Sequence, residues 1–209
     1  MKAHTKETQA TMTPQKALDF LKEGNKRFLQ NLRANRNLLE QVNDTREGQF
    51  PFATILSCID SRVSAELVFD QGLGDIFSVR IAGNFVNEDI LGSMEFACKL
   101  AGTKLVVVLG HTSCGAIKGA CDHARMGNLT ALINKLEPAV EGVKEPADEN
   151  LRNSQNLEFV DKVSEKNVML TMERIRKESP LLAEMEKNGE ILIIGGMYDI
   201  SNGEVTFFE

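Results

Sequence analysis

From Phe52 onward the sequence repeats one alternation: a short run that is apolar along its whole length, then a stretch whose apolar residues recur at helical spacing. The apolar runs fall at 52–57, 75–80, 104–109 and 190–195. A strand that is apolar at every position, rather than at every second one, is covered on both faces. Helical spacing marks 64–69, 88–100, 114–124, 129–136 and a long stretch from 151 to 177. Strand and helix in alternation require a parallel sheet with right-handed crossovers.

Two features lie outside that alternation. Thr13-Pro14 reads as a helix start, a capping hydroxyl followed by Pro at the first helical position, with Ala17, Leu18, Leu21 and Phe28 following. A second helix is expected over 38–46, and the residues before Thr13 are expected to be frayed. Near the other end, "YDISNGEVTFF" sets an Asn-Gly turn between apolar flanks, the mark of a hairpin or antiparallel edge strand. "EPAVEGVKEPADEN" reads as a loop or broken helix rather than a linker. The expectation is one α/β domain over 1–209: a central, mostly parallel β-sheet flanked by helices, with an N-terminal helical arm (1–48), a core (49–209) and a C-terminal antiparallel edge strand or hairpin. A chain of 209 residues suits one such domain and is short for two.

Bulk properties exclude several partners. The formal net charge of −6 offers no basic field to nucleic acid or anionic lipid, and no run approaches the ~18–20 apolar residues of a membrane span. The N-terminus lacks the apolar centre of a secretory signal. The four cysteines, at 58, 98, 114 and 121, are too sparse for a disulfide framework; reduced thiols in a cytoplasmic protein are expected. Cys98 and Cys121 sit mid-helix without partner spacing and read as core or surface thiols.

Chemistry concentrates where two strands end. "FATILS" runs into "CIDSR", and "KLVVVLG" runs into "HTSCG". Ligands of open parallel sheets bind beyond the carboxyl ends of the strands, so adjacent strands would bring Cys58, His111 and Cys114 together. Gly110 and Gly115 allow the tight turn around His111 and Cys114. Two thiolates and one imidazole suit a tetrahedral zinc ion with its fourth position open. Taken singly, Cys58 is a small buried apolar residue, Asp60 and Arg62 a surface pair, and His-x-x-Cys a chance spacing. Taken together, Asp60 can orient a zinc-bound hydroxide, while a bidentate pair with Arg62 keeps the carboxylate off the metal. Because each thiolate offsets one positive charge, water at such a site should ionise at higher pH than at a tris-imidazole site.

"CIDSR" followed by "HTSCG" closely resembles the paired signatures of the β-class carbonic anhydrases, Cys-x-Asp-x-Arg and His-x-x-Cys. The resemblance extends from about Thr13 to the end, including "FSVRIAGN" and "GHTSCGAIKG". It implies one zinc per chain on Cys58, His111 and Cys114, and a catalytic dyad of Asp60 and Arg62. It also implies reversible hydration of carbon dioxide to bicarbonate and a proton by zinc-bound hydroxide. Gln49 matches a glutamine that hydrogen-bonds substrate in plant-like members; Phe77 and Phe96 fall where aromatics line the carbon dioxide pocket, although the second is a Tyr there. Gly115 belongs with them on the substrate side. Some bacterial members have a bicarbonate-regulated closed form that uses a Trp, an Arg and a Tyr. Ile55 stands at the Trp position here, while Arg80 and Tyr198 match the other two, so the open arrangement is expected. The resemblance further implies a homo-oligomer, dimer or tetramer, with an N-terminal arm crossing between subunits.

Three other readings fit the same residues. One is a related zinc hydrolase acting on carbonyl sulfide or carbon disulfide. Another is a non-catalytic zinc module, against which stands the lack of a fourth Cys or His at suitable spacing. The third is a cysteine-nucleophile hydrolase using Cys58 or Cys114 with His111, which would leave the second thiol and the Asp60–Arg62 pair idle. The remaining histidines, His4 and His123, offer no evident proton shuttle.

Overall fold

Five strands form one sheet in the order β2-β1-β3-β4-β5. They are β1 (Ala53–Ser57), β2 (Ile76–Arg80), β3 (Leu105–His111), β4 (Leu192–Tyr198) and β5 (Val205–Phe207). The first four are parallel, and β5 runs antiparallel to β4 across the turn that contains Asn202-Gly203. The computed structural model describes residues 2–208. Every residue of β1 and β3 is buried, as their unbroken apolar runs require, whereas β2 is an edge and half open.

Two strands extend beyond their expected ends. β3 continues through Gly110 to His111, because those two residues pair with Met197 and Tyr198 of β4. β4 itself runs to Tyr198 rather than to 195; the Gly195-Gly196 pair interrupts its apolar run and hid its second half. His111 is therefore the last residue of a strand, not the first of a loop. β1 stops level with Leu109, so Cys58 lies beside the projecting end of β3.

Ten α-helices accompany the sheet among the described residues: α1 (Lys6–Ala10), α2 (Pro14–Leu29), α3 (Leu38–Asp44), α4 (Ala65–Val68), α5 (Glu88–Glu95), α6 (Gly115–Cys121), α7 (Gly127–Ile133), α8 (Glu137–Gly142), α9 (Leu157–Glu178) and α10 (Pro180–Lys187). A π-helical turn, Phe96–Leu100, extends α5, and a 3₁₀ turn, Glu149–Leu151, precedes α9. The long helix begins at Leu157, six residues later than its spacing suggested, because Asn156 caps it by accepting from the Phe159 N–H. The uncertain stretch after Leu136 is a broken helix, α8 followed by irregular chain. α10 was not anticipated, although Ser179-Pro180 repeats the start signal of α2: Ser179 Oγ accepts from the Leu182 N–H.

The described residues before Thr13 are not frayed. Thr5 and Thr8 form a reciprocal capping box around α1, and Ala3 and Met12 are buried on either side of it. Gln9 Nε2 donates to Pro51 O at 2.7 Å and to Ala101 O at 2.8 Å, fastening α1 beneath the sheet. Nor does α2 stand away from its own core. Ala17, Leu18 and Leu21 join Phe52, Ile55 and Leu105 in one apolar cluster. Gly24 lies so close to the chain that a Cβ there would come within 1.8 Å of Phe69 O. Buried Asn25 donates to Val68 O and Gly203 O and accepts from the Val205 N–H, so α2 ties α4 to the β4–β5 turn. α3 presents an exposed apolar surface through Leu38, Leu39 and Val42.

The opposite face packs Leu56, Val106 and Val108 against Met94 and against Val168 and Ile175 of α9. No described helix is long and apolar enough to cross a membrane.

Candidate metal centre

Cys58, His111 and Cys114 converge where β1 and β3 end. Their ligand atoms all lie within 4.8 Å of one another, and Cys58 Sγ is 3.9 Å from Cys114 Sγ. All three residues are buried, His111 completely. Cys114 occupies the N-cap position of α6 yet caps nothing with its side chain, so its sulfur remains available to the cluster. The Thr112-Ser113 turn between His111 and Cys114 reverses tightly, with Ser113 in the left-handed region at φ 53°. Thr112 N–H donates to Tyr198 O, and Ser113 N–H donates to the Asp161 carboxylate at 2.7 Å.

The imidazole is set in one tautomer. His111 Nδ1 lies 2.9 Å from Thr112 O, and a carbonyl can only accept, so Nδ1 carries the hydrogen. Nε2 then holds a lone pair; it is buried and has no hydrogen-bond partner. A buried acceptor left unpaired is costly, and a cation between it and the two sulfurs would satisfy it. The donor set, two sulfurs and one imidazole nitrogen, is one that zinc accepts.

The thiols are electrically unequal. A hydrogen bond from Cys114, supported by the Gly83 and Asp60 N–H groups, brings the Cys58 thiol down to about 4 against the cost of burial. Cys114 moves far the other way, because its hydrogen bond to Cys58, burial and the charge on Cys58 all oppose a second anion. The pair thus holds one negative charge and one proton, and only a positive charge between the sulfurs would let both ionise.

Asp60 faces this cluster from outside it. Arg62 grips the carboxylate with both arms, Nε to Oδ1 at 2.9 Å and Nη2 to Oδ2 at 2.7 Å, and its own N–H adds a third bond to Oδ1. That grip holds the Asp60 carboxyl well below the usual carboxylate range. Arg80, which matches the Arg of the regulated members, donates to Cys58 O at 3.0 Å and Asp60 O at 2.7 Å. It clamps the segment on which both side chains stand. Ile55 and Tyr198 are packed in the apolar cluster that includes α2.

Of the expected substrate residues, Gly115 adjoins the cluster through Cys114, whereas Gln49, Phe77 and Phe96 lie apart from it. Gly115 is exposed at the start of α6, with open space where a side chain would be. Gln49 is exposed in a surface hollow with Val42, Thr45 and Leu73. It precedes β1, whereas Cys58 follows it, and a five-residue strand at about 3.3 Å per residue separates them. Phe77 and Phe96 meet edge-on, centroids 6.3 Å apart, in a groove of about 730 Å³ along the β2 edge. Phe77 is level with Thr54, four positions upstream of Cys58. Sequence reasoning missed Arg80's clamp and Asp161. Both act on backbone atoms, which leave no signature in a sequence.

Fold and side chains together define an open α/β protein with a buried Cys-His-Cys group able to hold a metal ion. A family model described as carbonic anhydrase matches residues 53–205. Carbonic anhydrase 2 of Mycobacterium tuberculosis is 34% identical over 199 residues, covering 92% of each chain. The solved β-carbonic anhydrase CcaA superposes with a TM-score of 0.71 at 22% identity, over 93% of this chain and 94% of that one. A structure described as one of two tetrameric β-carbonic anhydrases from Sordaria macrospora gives 0.68 at 21% identity, over 79% and 84%. The chain belongs to the carbonic anhydrase family, in its β class.

Proposed function

We propose that this chain hydrates carbon dioxide reversibly to bicarbonate and a proton, with one zinc ion held by Cys58, His111 and Cys114. The observation that carries the reading is the orphaned Nε2 of His111, buried between two thiols of opposite titration. Bound zinc would supply the Lewis acidity that ionises water, muted by the two thiolates beside it.

The chain's own residues do the rest. Asp60 Oδ1 is fully engaged by the Arg62 side chain and backbone N–H, whereas Oδ2 takes one bond from Arg62 and keeps a lone pair to accept a hydrogen bond from the attacking water, which turns the nucleophile toward the carbon. Arg62 also makes it costly for Asp60 to swing onto the metal, which supports the open arrangement. Arg80 fixes the height of Asp60 relative to Cys58.

Gln49, Phe77 and Phe96 serve substrate only at the site of a second copy, since β1 holds them away from Cys58 of their own chain. The half-open β2 edge, the groove beside it and the exposed apolar face of α3 support such a homo-oligomer. All four cysteines are free, which suits a reducing, cytoplasmic setting. Stopped-flow carbon dioxide hydration with zinc quantification tests the assignment. One zinc per chain and rapid hydration are expected, whereas a zinc-loaded protein without activity would overturn it.

A further inference from the structure

Two of the three ligands, His111 and Cys114, stand on either side of the Thr112-Ser113 turn. We propose that Asp161 of α9 is a positioning residue for the metal centre: by accepting the Ser113 N–H it holds the left-handed turn that sets His111 against Cys114. This rests on the reading of the cluster as a zinc site.

The neighbours of Ser113 are anchored by other means. Thr112 is tied to β4 through its N–H on Tyr198 O, and its hydroxyl accepts from the Ile200 N–H. Cys114 is tied to α6 through its carbonyl, which accepts from the Lys118 N–H. Ser113 lies between these anchors in a conformation that residues with a Cβ disfavour. Its described backbone partner is the Asp161 carboxylate, at 2.7 Å a short, charge-assisted bond.

The carboxylate stands on a rigid platform. Val160 and Val163 flank it and are fully buried. Two turns along, α9 lies so close to β3 that a Cβ on Gly110 would come within 2.6 Å of Val168 Cγ2. Gly110 immediately precedes His111. One helix therefore fixes both sides of the ligand: the strand before it through packing, and the turn after it through Asp161. Groups that orient metal ligands typically change metal affinity by about 10–100-fold when removed.

The test is the rate at which the zinc-loaded protein releases metal to a chromogenic chelator, with the absorption spectrum of the cobalt-substituted protein as a second readout. Asp161→Ala should release metal at least about 10-fold faster and alter the cobalt bands. Asp161→Asn, whose amide oxygen still accepts from Ser113, should stay close to the wild-type rate. Ser113→Gly added to Asp161→Ala should recover part of the loss, because glycine adopts the left-handed turn without support. Ile175→Val, which weakens α9 far from the turn, should leave the rate unchanged.

An unchanged release rate in Asp161→Ala, an Asn variant as fast as the Ala variant, or equal acceleration by Ile175→Val would each overturn the proposal. If Asp161→Ala does not fold, Asp161→Ser, whose hydroxyl is too short to span the gap, replaces it with the same expected and overturning outcomes. A wild-type protein that binds no zinc would instead overturn the zinc reading itself.

Discussion

At the residue scale, the centre separates ligands from the groups that manage them. Cys58→Ala should remove both zinc and hydration activity, as metal analysis and stopped-flow measurement would show together. Asp60→Asn should keep its zinc and lose roughly 10²-fold or more in kcat, as expected for a hydrogen-bonding group acting on the nucleophile. Loss of metal in that variant would instead make Asp60 a ligand. Arg62→Leu releases the Asp60 carboxylate from its bidentate clamp. It should fall in activity with its metal retained, and its cobalt spectrum should report an added oxygen ligand. The triad was legible in the sequence because Cys58 and His111 sit at or one step from a strand end and Cys114 follows three residues on, and strand ends show as apolar runs that stop. The clamps were not legible. Arg80 acts on two carbonyls and Asp161 on one N–H, and any residue at 58, 60 or 113 other than proline supplies those same groups.

At the scale of elements, legibility followed burial. β1 and β3, covered on both faces, announced themselves, while the glycine pair in β4 and the polar composition of α1 concealed those elements. α1 shows what composition missed: a helix of five residues held by a capping box and by one glutamine bridging two carbonyls. His4, just before it, packs edge-on against Phe52 and Phe20 at 5.3 and 5.7 Å. Burial lowers its imidazole from the ordinary 6.5, with the Asp75 charge opposing. A docked His4 therefore binds its proton less readily than a released one. Docking is fully favoured above pH about 6.5 and weakens as pH falls below it, which histidine chemical shifts against pH would follow. A His4 that titrates above 6.5 would contradict this. For α2, Asn25→Ala leaves two carbonyls and one N–H unpaired in a buried place. It should lower stability by at least about 2 kcal/mol in denaturant unfolding.

On the scale of the whole molecule, several large apolar side chains are more than half exposed, among them Leu38 and Leu39 on α3 and Phe96 and Leu100 at the end of α5. A second copy covering them would also deliver Gln49 and Phe77 to a site that their own chain cannot reach. Light scattering should therefore give a dimer or a multiple of it, and Leu39→Glu with Leu100→Glu should yield monomers of reduced activity. Active monomers would contradict the shared site. Cys58 and Cys114 are 56 positions apart and meet only because β1 and β3 pair. No local segment holds all three ligands, so the cation has nothing to grip until the central strands have found each other. Metal should therefore act as a latch rather than a seed: it should slow unfolding markedly while leaving the rate of refolding nearly unchanged.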